Sequence, residues 1–142
     1  FASDLRKISA ALKMISDMER IGDQASDIAD MVPYIRFSEA KSKVHIEAMA
    51  KATVKMVTDS VEAFVQEDLD LAERVIDSDD EVDELFTKVK KELIDLIYAK
   101  NIDAKVALDL LMTAKYYERI GDHAVNIAEW VVYSITGVHI ED

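Results

Sequence analysis

The chain has 142 residues, half of them apolar, with 29 acidic and 17 basic side chains and a net charge of -12. That composition supports one modest core and argues against disorder, and its charge excludes a nucleic-acid partner, because phosphate contacts need basic patches. Cysteine is absent, so disulfides, thiolate ligands and cysteine nucleophiles are excluded.

Only three Gly and one Pro interrupt the chain, which suits long helices better than turn-rich sheet. The periodicity predicts four: Ala2 to Phe37, Glu39 to Glu67, Leu69 to Lys100, and Ile102 to Ile135, with Gly137 as a stop. Pro33 is expected to kink the first helix or end it early. Asp68 or Asp70 is placed to cap the third helix, and Asp103 the fourth. Short connections between long helices predict an all-α, elongated antiparallel bundle. No apolar run is long enough to span a bilayer, so no membrane insertion is expected.

In the first helix Leu5, Ile8, Leu12 and Ile15 form an apolar stripe at steps of three and four, and Glu19 and Asp23 continue its register. Ile21, Ala25, Ile28 and Val32 line the other side, so the lower part of this helix is expected to bury a different face. In the second helix Ile46, Met49, Thr53, Met56, Ser60 and Phe64 form the expected bundle-facing stripe. In the third, Ala72, Ile76, Asp79, Asp83, Phe86, Leu93 and Ile97 fall near one seam, which puts two aspartates where a simple bundle wants leucine. Residues 67–84 hold ten acidic side chains and one arginine, and of these Asp79 and Asp83 are expected to face inward.

The fourth helix repeats the first. Each position from Glu19 to Ala29 has a counterpart 99 residues on, and Glu, Arg, Ile, Gly, Asp, Ala, Ile and Ala recur in step. Glu19, Asp23 and Asp27 become Glu118, Asp122 and Asn126. Like charges four residues apart on a helix repel by roughly 0.2–0.5 kcal/mol, and burying an unpaired carboxylate costs far more. A cation shared between facing helices would compensate such a cluster. Oxygen donors suit Mg, Ca, Mn or ferric iron, and zinc also accepts carboxylates. Gly22 and Gly121, each just before a motif aspartate, would let a helix, a ligand or a metal-bound water approach, or would simply relieve a tight crossing. The absence of an E-x-x-H pair argues against a redox di-iron enzyme. P-loop and G-x-S-x-G motifs are absent too. A metal-assisted phosphohydrolase and a ligand-free structural or oligomerising bundle remain as alternatives.

The segments "DLRKISAALKMISDMERIGDQASDIAD" and "ALDLLMTAKYYERIGDHAVNIAEWVVYSITG", with "AERVIDSDDEVDEL" between them, resemble the PhoU family of phosphate-uptake regulators across essentially the whole chain. The resemblance implies two tandem three-helix repeats. Residues 1–37 would be the last helix of a first repeat whose other two helices are missing, and 38–142 a complete second repeat. It implies a non-enzymatic, cytoplasmic negative regulator that couples a phosphate ABC transporter to a sensor histidine kinase. It also implies multinuclear iron or zinc held by Glu19, Asp23 and Asp27 in the first repeat, and by Asp79, Asp83, Glu118 and Asp122, with Asn126, in the second. Missing helices would leave apolar faces of the first helix uncovered, so a homo-oligomer is expected.

Overall fold

The computed structural model describes residues 1–35 and 38–139 and contains six helices among them: α1 (Ala2–Ile35), α2 (Glu39–Ser42), α3 (Ile46–Gln66), α4 (Leu69–Asp77), α5 (Asp79–Tyr98) and α6 (Ala104–Thr136). It is an all-α bundle built around α6, which packs against α1, α3, α4 and α5. The register of α1 on α6 is antiparallel: Met31 meets Thr113, Asp17 meets His123, and Arg6 lies against Gly137. No helix among the described residues is long and apolar enough to cross a membrane.

Two expected helices are broken, each for a physical reason. The second helix divides into α2 and α3 at Lys43–His45. Ser38 caps α2 by accepting the Ala40 N–H at 3.2 Å. The entry to α3 is capped from a distance: the His45 N–H donates to Glu92 Oε1 at 3.0 Å, and His45 Nδ1 lies 2.8 Å from Glu92 Oε2. A carboxylate on α5 thus takes the N-cap N–H that a Glu or Gln three residues into the helix takes in a capping box. The third helix divides at Ser78, whose hydroxyl donates back to the Arg74 carbonyl at 2.8 Å. Asp79, Asp80 and Glu81 therefore form the first turn of α5, where the helix dipole favours negative charge.

Other signals act locally. Asp68 Oδ1 accepts the Leu71 N–H at 3.0 Å and caps α4, whereas Asp103 sits at the N-cap of α6 without a side-chain bond. Gly137 ends α6 in the left-handed region at φ 80°, its N–H bonded to the Tyr133 carbonyl. Pro33 does not end α1, which continues to Ile35; the expected end at Phe37 lies outside the described residues.

The core runs through Met49, Val75, Val82, Val89, Leu110, Ile127 and Val131. The α3 stripe is the expected one from Ile46 to Ser60, with Ala63 fully buried and Phe64 half-buried beyond it. Along α4 and α5 the buried line is Ala72, Val75, Val82, Val89 and Leu93, while Asp83 and Ile97 are exposed. The buried line keeps one heptad register across Ser78, with Val75, Val82 and Val89 three residues after Ala72, Asp79 and Phe86, so the positions four residues on, Ile76, Asp83 and Ile97, lie on the flank. On α1 the expected stripe of the first half is turned outward, while the second half buries Ile28 and packs Ile21 on the face expected of it. Ala10, Met14, Ile28 and Ile35 are buried against the bundle, whereas Leu5, Ile8, Leu12 and Ile15 are 53–64% exposed. Ala25 and Val32 are exposed as well. The Lys7–Glu67 ion pair joins α1 to the end of α3.

Candidate functional site

Glu118 and Asp122 stand one turn apart on α6, on the side that meets α5. Glu118 is largely enclosed and takes an ion pair from Lys115 at 2.5 Å, one turn earlier on the same helix. Asp83 comes to the same place from α5. Burial pushes the Asp83 carboxyl above its ordinary value, and the charges of Glu118 and Asp80 push it further, with Lys115 opposing. Burial likewise raises Asp122, aided by Glu118 and Asp83 and opposed by Lys115 and His123. Asp122 and Asp83 keep exposed surface, so they are desolvated on their protein side while one edge stays open to water. Asp79 is half-buried one turn before Asp83, in the first turn of α5.

Among the described residues, Lys115 is the one lysine or arginine that acts on both aspartates. Its ammonium also lies 5.4 Å from the centre of the Phe86 ring. Three carboxylates from two helices thus share one ammonium. Such a donor set, hard oxygens carrying surplus negative charge, suits a divalent or trivalent cation. Among the described residues, no three His, Cys, Asp or Glu side chains close into a coordination shell. The carboxylates converge electrostatically without making one.

The other residues named from the sequence lie apart. Glu19, Asp23 and Asp27 are exposed on α1, and no helix among the described residues brings a carboxylate up to Glu19 and Asp23 as α5 brings Asp83 up to Glu118. Asp27 instead borders a cleft of about 460 Å³ with Asp30, Tyr34, Lys105, Asp109 and Tyr116. Asn126 turns to α1, where its Nδ2 donates to Asp17 Oδ1 at 3.2 Å. The same oxygen lies 3.0 Å from His123 Nδ1. Asp17 was not singled out from the sequence. Its signal was its register: it falls between Met14 and Ile21 on the line of α1 that faces α6.

The two motif glycines differ. A Cβ on Gly121 would meet Val82, Met56 and Thr53 side chains at 3.6–3.8 Å, so this glycine seats α6 closely on α3 and α5. A Cβ on Gly22 would meet nothing within 4 Å. The tight-crossing role therefore belongs to Gly121 alone in this structure. Tyr117, beside the site, has its phenol pushed up by burial, consistent with its place in an apolar groove between α1, α3 and α6.

The family model described as "PhoU domain" matches residues 1–32 and 46–131. The "Phosphate-specific transport system accessory protein PhoU homolog 1" of Thermotoga maritima is 37% identical over 140 residues, covering 97% of this chain and 60% of that protein. A PhoU homolog of Aquifex aeolicus is 40% identical over 119 residues, covering 83% of this chain and 54% of its own length. The crystal structure of PhoU from Pseudomonas aeruginosa superposes with a TM-score of 0.87 at 34% identity, over 96% of this chain and 66% of that one. The phosphate transport system regulatory protein PhoU from Streptococcus pneumoniae gives a TM-score of 0.84 at 27% identity, over 98% and 66%. The chain thus spans about 54–60% of these two curated relatives. The doubled E-R-I-G-D segment, the family match over most of the chain and the close superposition agree: this chain belongs to the PhoU family.

Proposed function

We propose that this chain is part of a regulator of phosphate uptake that binds metal through the carboxylates of α5 and α6 and has no catalytic role. In this reading it works in the cytoplasm as a negative regulator, between a phosphate ABC transporter and a sensor histidine kinase. The names of its relatives, accessory proteins of a phosphate-specific transport system, support the phosphate half. We further read α1 as the closing helix of a first repeat and residues 38–142 as the second.

One observation carries the metal half: Asp83, Glu118 and Asp122 meet from two helices around one lysine, and burial and mutual repulsion raise both aspartates. Bound iron or zinc would neutralise this charge and tie α5 to α6. Lys115 meanwhile holds Glu118, and its flexible stem lets it yield that oxygen at little cost. Gly121 keeps α6 close enough to α5 for Asp83 to reach the pair.

Elemental analysis of protein purified without chelator tests this reading. Stoichiometric iron or zinc is expected, lost in Glu118→Gln/Asp122→Asn and kept in Glu19→Gln/Asp23→Asn. Unchanged metal in the first variant would remove the assigned site, and no metal in the unsubstituted chain would favour the ligand-free bundle.

A further inference from the structure

Past Phe86 the seam between α5 and α6 leaves the carboxylates behind and opens into an apolar groove of about 140 Å³. Leu93 and Ala107 form its floor and are almost fully buried. Ile94 and Ile97 on α5 and Leu108 on α6 line it yet stay 52–63% exposed. Among the described residues Lys90 is the one charged side chain in its lining. The Lys90 ammonium lies 5.1 Å from the centre of the Phe86 ring and has no ion pair among the described residues. The acids on the same stretches of α5 and α6 are already engaged: Glu92 with His45, Asp95 with Lys91 at 3.4 Å, and Asp109 with Lys105 at 3.2 Å. In a chain of net charge -12, this groove thus presents a lone cation beside uncovered apolar surface. Its walls are helices whose backbone groups are paired within the chain, so an extended segment would find no hydrogen-bond partners there. An occupant has to satisfy its own backbone, as a helix does. From Lys90 to Ile97 the groove runs two turns, about 10 Å at a rise of about 1.5 Å per residue.

We propose that this groove docks an amphipathic helix of a partner protein, one with apolar side chains on two successive turns and an acidic side chain on the turn that reaches Lys90. Burial of Ile94, Ile97 and Leu108 supplies the affinity, and Lys90 selects the sign of the partner's charge. A basic side chain at that place would set like charges together as water is excluded, which discriminates against the wrong helix. A second copy of this chain fits less well. A two-fold contact pairs the same patch on both subunits, so it would bring in two lysines and no unengaged carboxylate from the groove. Seating the exposed α1 stripe of one copy in the groove of the next would be head-to-tail, a contact that forms open filaments unless its rotation closes a ring. The docking needs no metal, because Asp83, Glu118 and Asp122 lie outside the groove lining.

The test titrates the nitrogen-15-labelled chain with two alanine-rich helical peptides. One has leucines at i and i+4 and a glutamate at i+7, and the other has a lysine in place of that glutamate. Backbone amide shifts caused by the glutamate peptide should centre on Ile94, Ile97 and Leu108. Its affinity should exceed that of the lysine peptide by about 5-fold, the upper size of an exposed ion pair. Lys90→Glu should reverse this order, a result that loss of fold cannot produce. Leu108→Glu should weaken both peptides by about 10-fold or more, the cost of a lost anchor, with helicity by circular dichroism unchanged. Ile15→Glu, on the other exposed stripe, should bind both as the parent chain does. Equal affinity for the two peptides, or binding of neither by the parent chain, overturns the proposal. Shifts centred on Leu5 to Ile15 overturn it too, because the peptide then sits on α1. A light-scattering mass lowered by Leu108→Glu would give the groove to a second copy and overturn the assignment to a partner protein.

Discussion

The same eleven-position segment occurs on α1 and on α6, and the two copies have different surroundings. On α6 it is enclosed. Gly121 is buried against α3 and α5, Ala124 and Ile127 are fully buried, and Glu118 and Asp122 face Asp83. On α1 Gly22 opens onto space, Ala25 is exposed, and Glu19 and Asp23 face away from the bundle. Both copies pack through their isoleucines, but among the described residues only the α6 copy has a helix facing its carboxylates. A side chain's chemistry at these positions is set by the facing helix as much as by its own. Asp122 is shifted because α5 puts Asp83 and a low-dielectric wall beside it.

Paired substitutions at equivalent positions probe this difference. The largest contrast is expected at Ile15 and Ala114, which are 99 residues apart and correspond in the repeat. Ala114 is 0% exposed, so Ala114→Glu buries an unpaired carboxylate. That should cost at least about 3 kcal/mol and abolish or severely weaken cooperative folding. Ile15→Glu should leave the fold within about 0.5 kcal/mol of the parent chain. Its effect should appear in association instead. Leu5, Ile8, Leu12, Ile15 and Met18 form a continuous exposed apolar stripe, and stripes of this kind drive self-association. The parent 142-residue chain should scatter light as a dimer or larger at micromolar concentration, and Ile15→Glu should lower that mass. A parent chain that is monomeric, or an Ala114→Glu chain that melts like it, breaks the contrast.

A smaller contrast is expected at the glycines. The Gly121 Cβ position already lies at van der Waals distance from Val82, Met56 and Thr53, so leucine there has nowhere to put its outer carbons. Gly121→Leu should destabilise by about 1–3 kcal/mol through overpacking. Gly22→Leu should be neutral or stabilise by up to about 1 kcal/mol, because helix propensity improves and nothing is crowded. Thermal melts of the two variants decide it. A loss at Gly22 equal to that at Gly121 would mean that α1 is covered in solution, which would tie this measurement to the association state.

Much of this architecture was legible because it depends on local chemistry. Apolar steps of three and four gave the long helices, Asp68 gave a cap, and Gly137 gave a stop. The breaks at Lys43–His45 and at Ser78 were not legible. The first depends on Glu92, 47 residues from His45, and the second on a hydroxyl bonding backward within its own turn. The face of α1 was misread because its strongest apolar line, Leu5 to Ile15, is the one without a partner here. The line that does pack carries Asp17 and Gln24 among its apolar residues, and a reading by hydrophobicity passes over them. At the site, four-residue spacing placed Glu118 and Asp122 together, and the acidic run on the preceding helix pointed to Asp83. Lys115 as the local counter-charge, and Asn126 turning to α1, needed the packing of helices far apart in sequence.

The smallest contrast is electrostatic and turns on pH and salt. Asp122 and Asp83 have raised carboxyl values, so the folded chain holds their protons more tightly than the unfolded chain does. Their contribution therefore favours folding below the ordinary value of 3.8 and is lost as pH rises through the raised folded values. At neutral pH both ionised carboxylates work against the fold, and Asp122→Asn should stabilise the metal-free chain by about 0.5 kcal/mol, the upper size of a one-turn like-charge pair. That gain should fade as pH drops through the raised folded value and be gone below 3.8, where folded and unfolded parent chains both carry the proton. Asp23→Asn relieves the same one-turn repulsion from Glu19 and Asp27, yet all three are exposed. Its gain should vanish near 1 M salt, where screening acts within about 3 Å. The Asp122 gain should partly survive, because burial is its leading cause and salt does not reverse desolvation. Zinc should invert the sign at Asp122 alone: a ligand removed from the loaded protein lowers its melting temperature, and Asp23→Asn leaves it unchanged. Equal salt sensitivity at both positions would mean that α5 shields Asp122 no more than water shields Asp23.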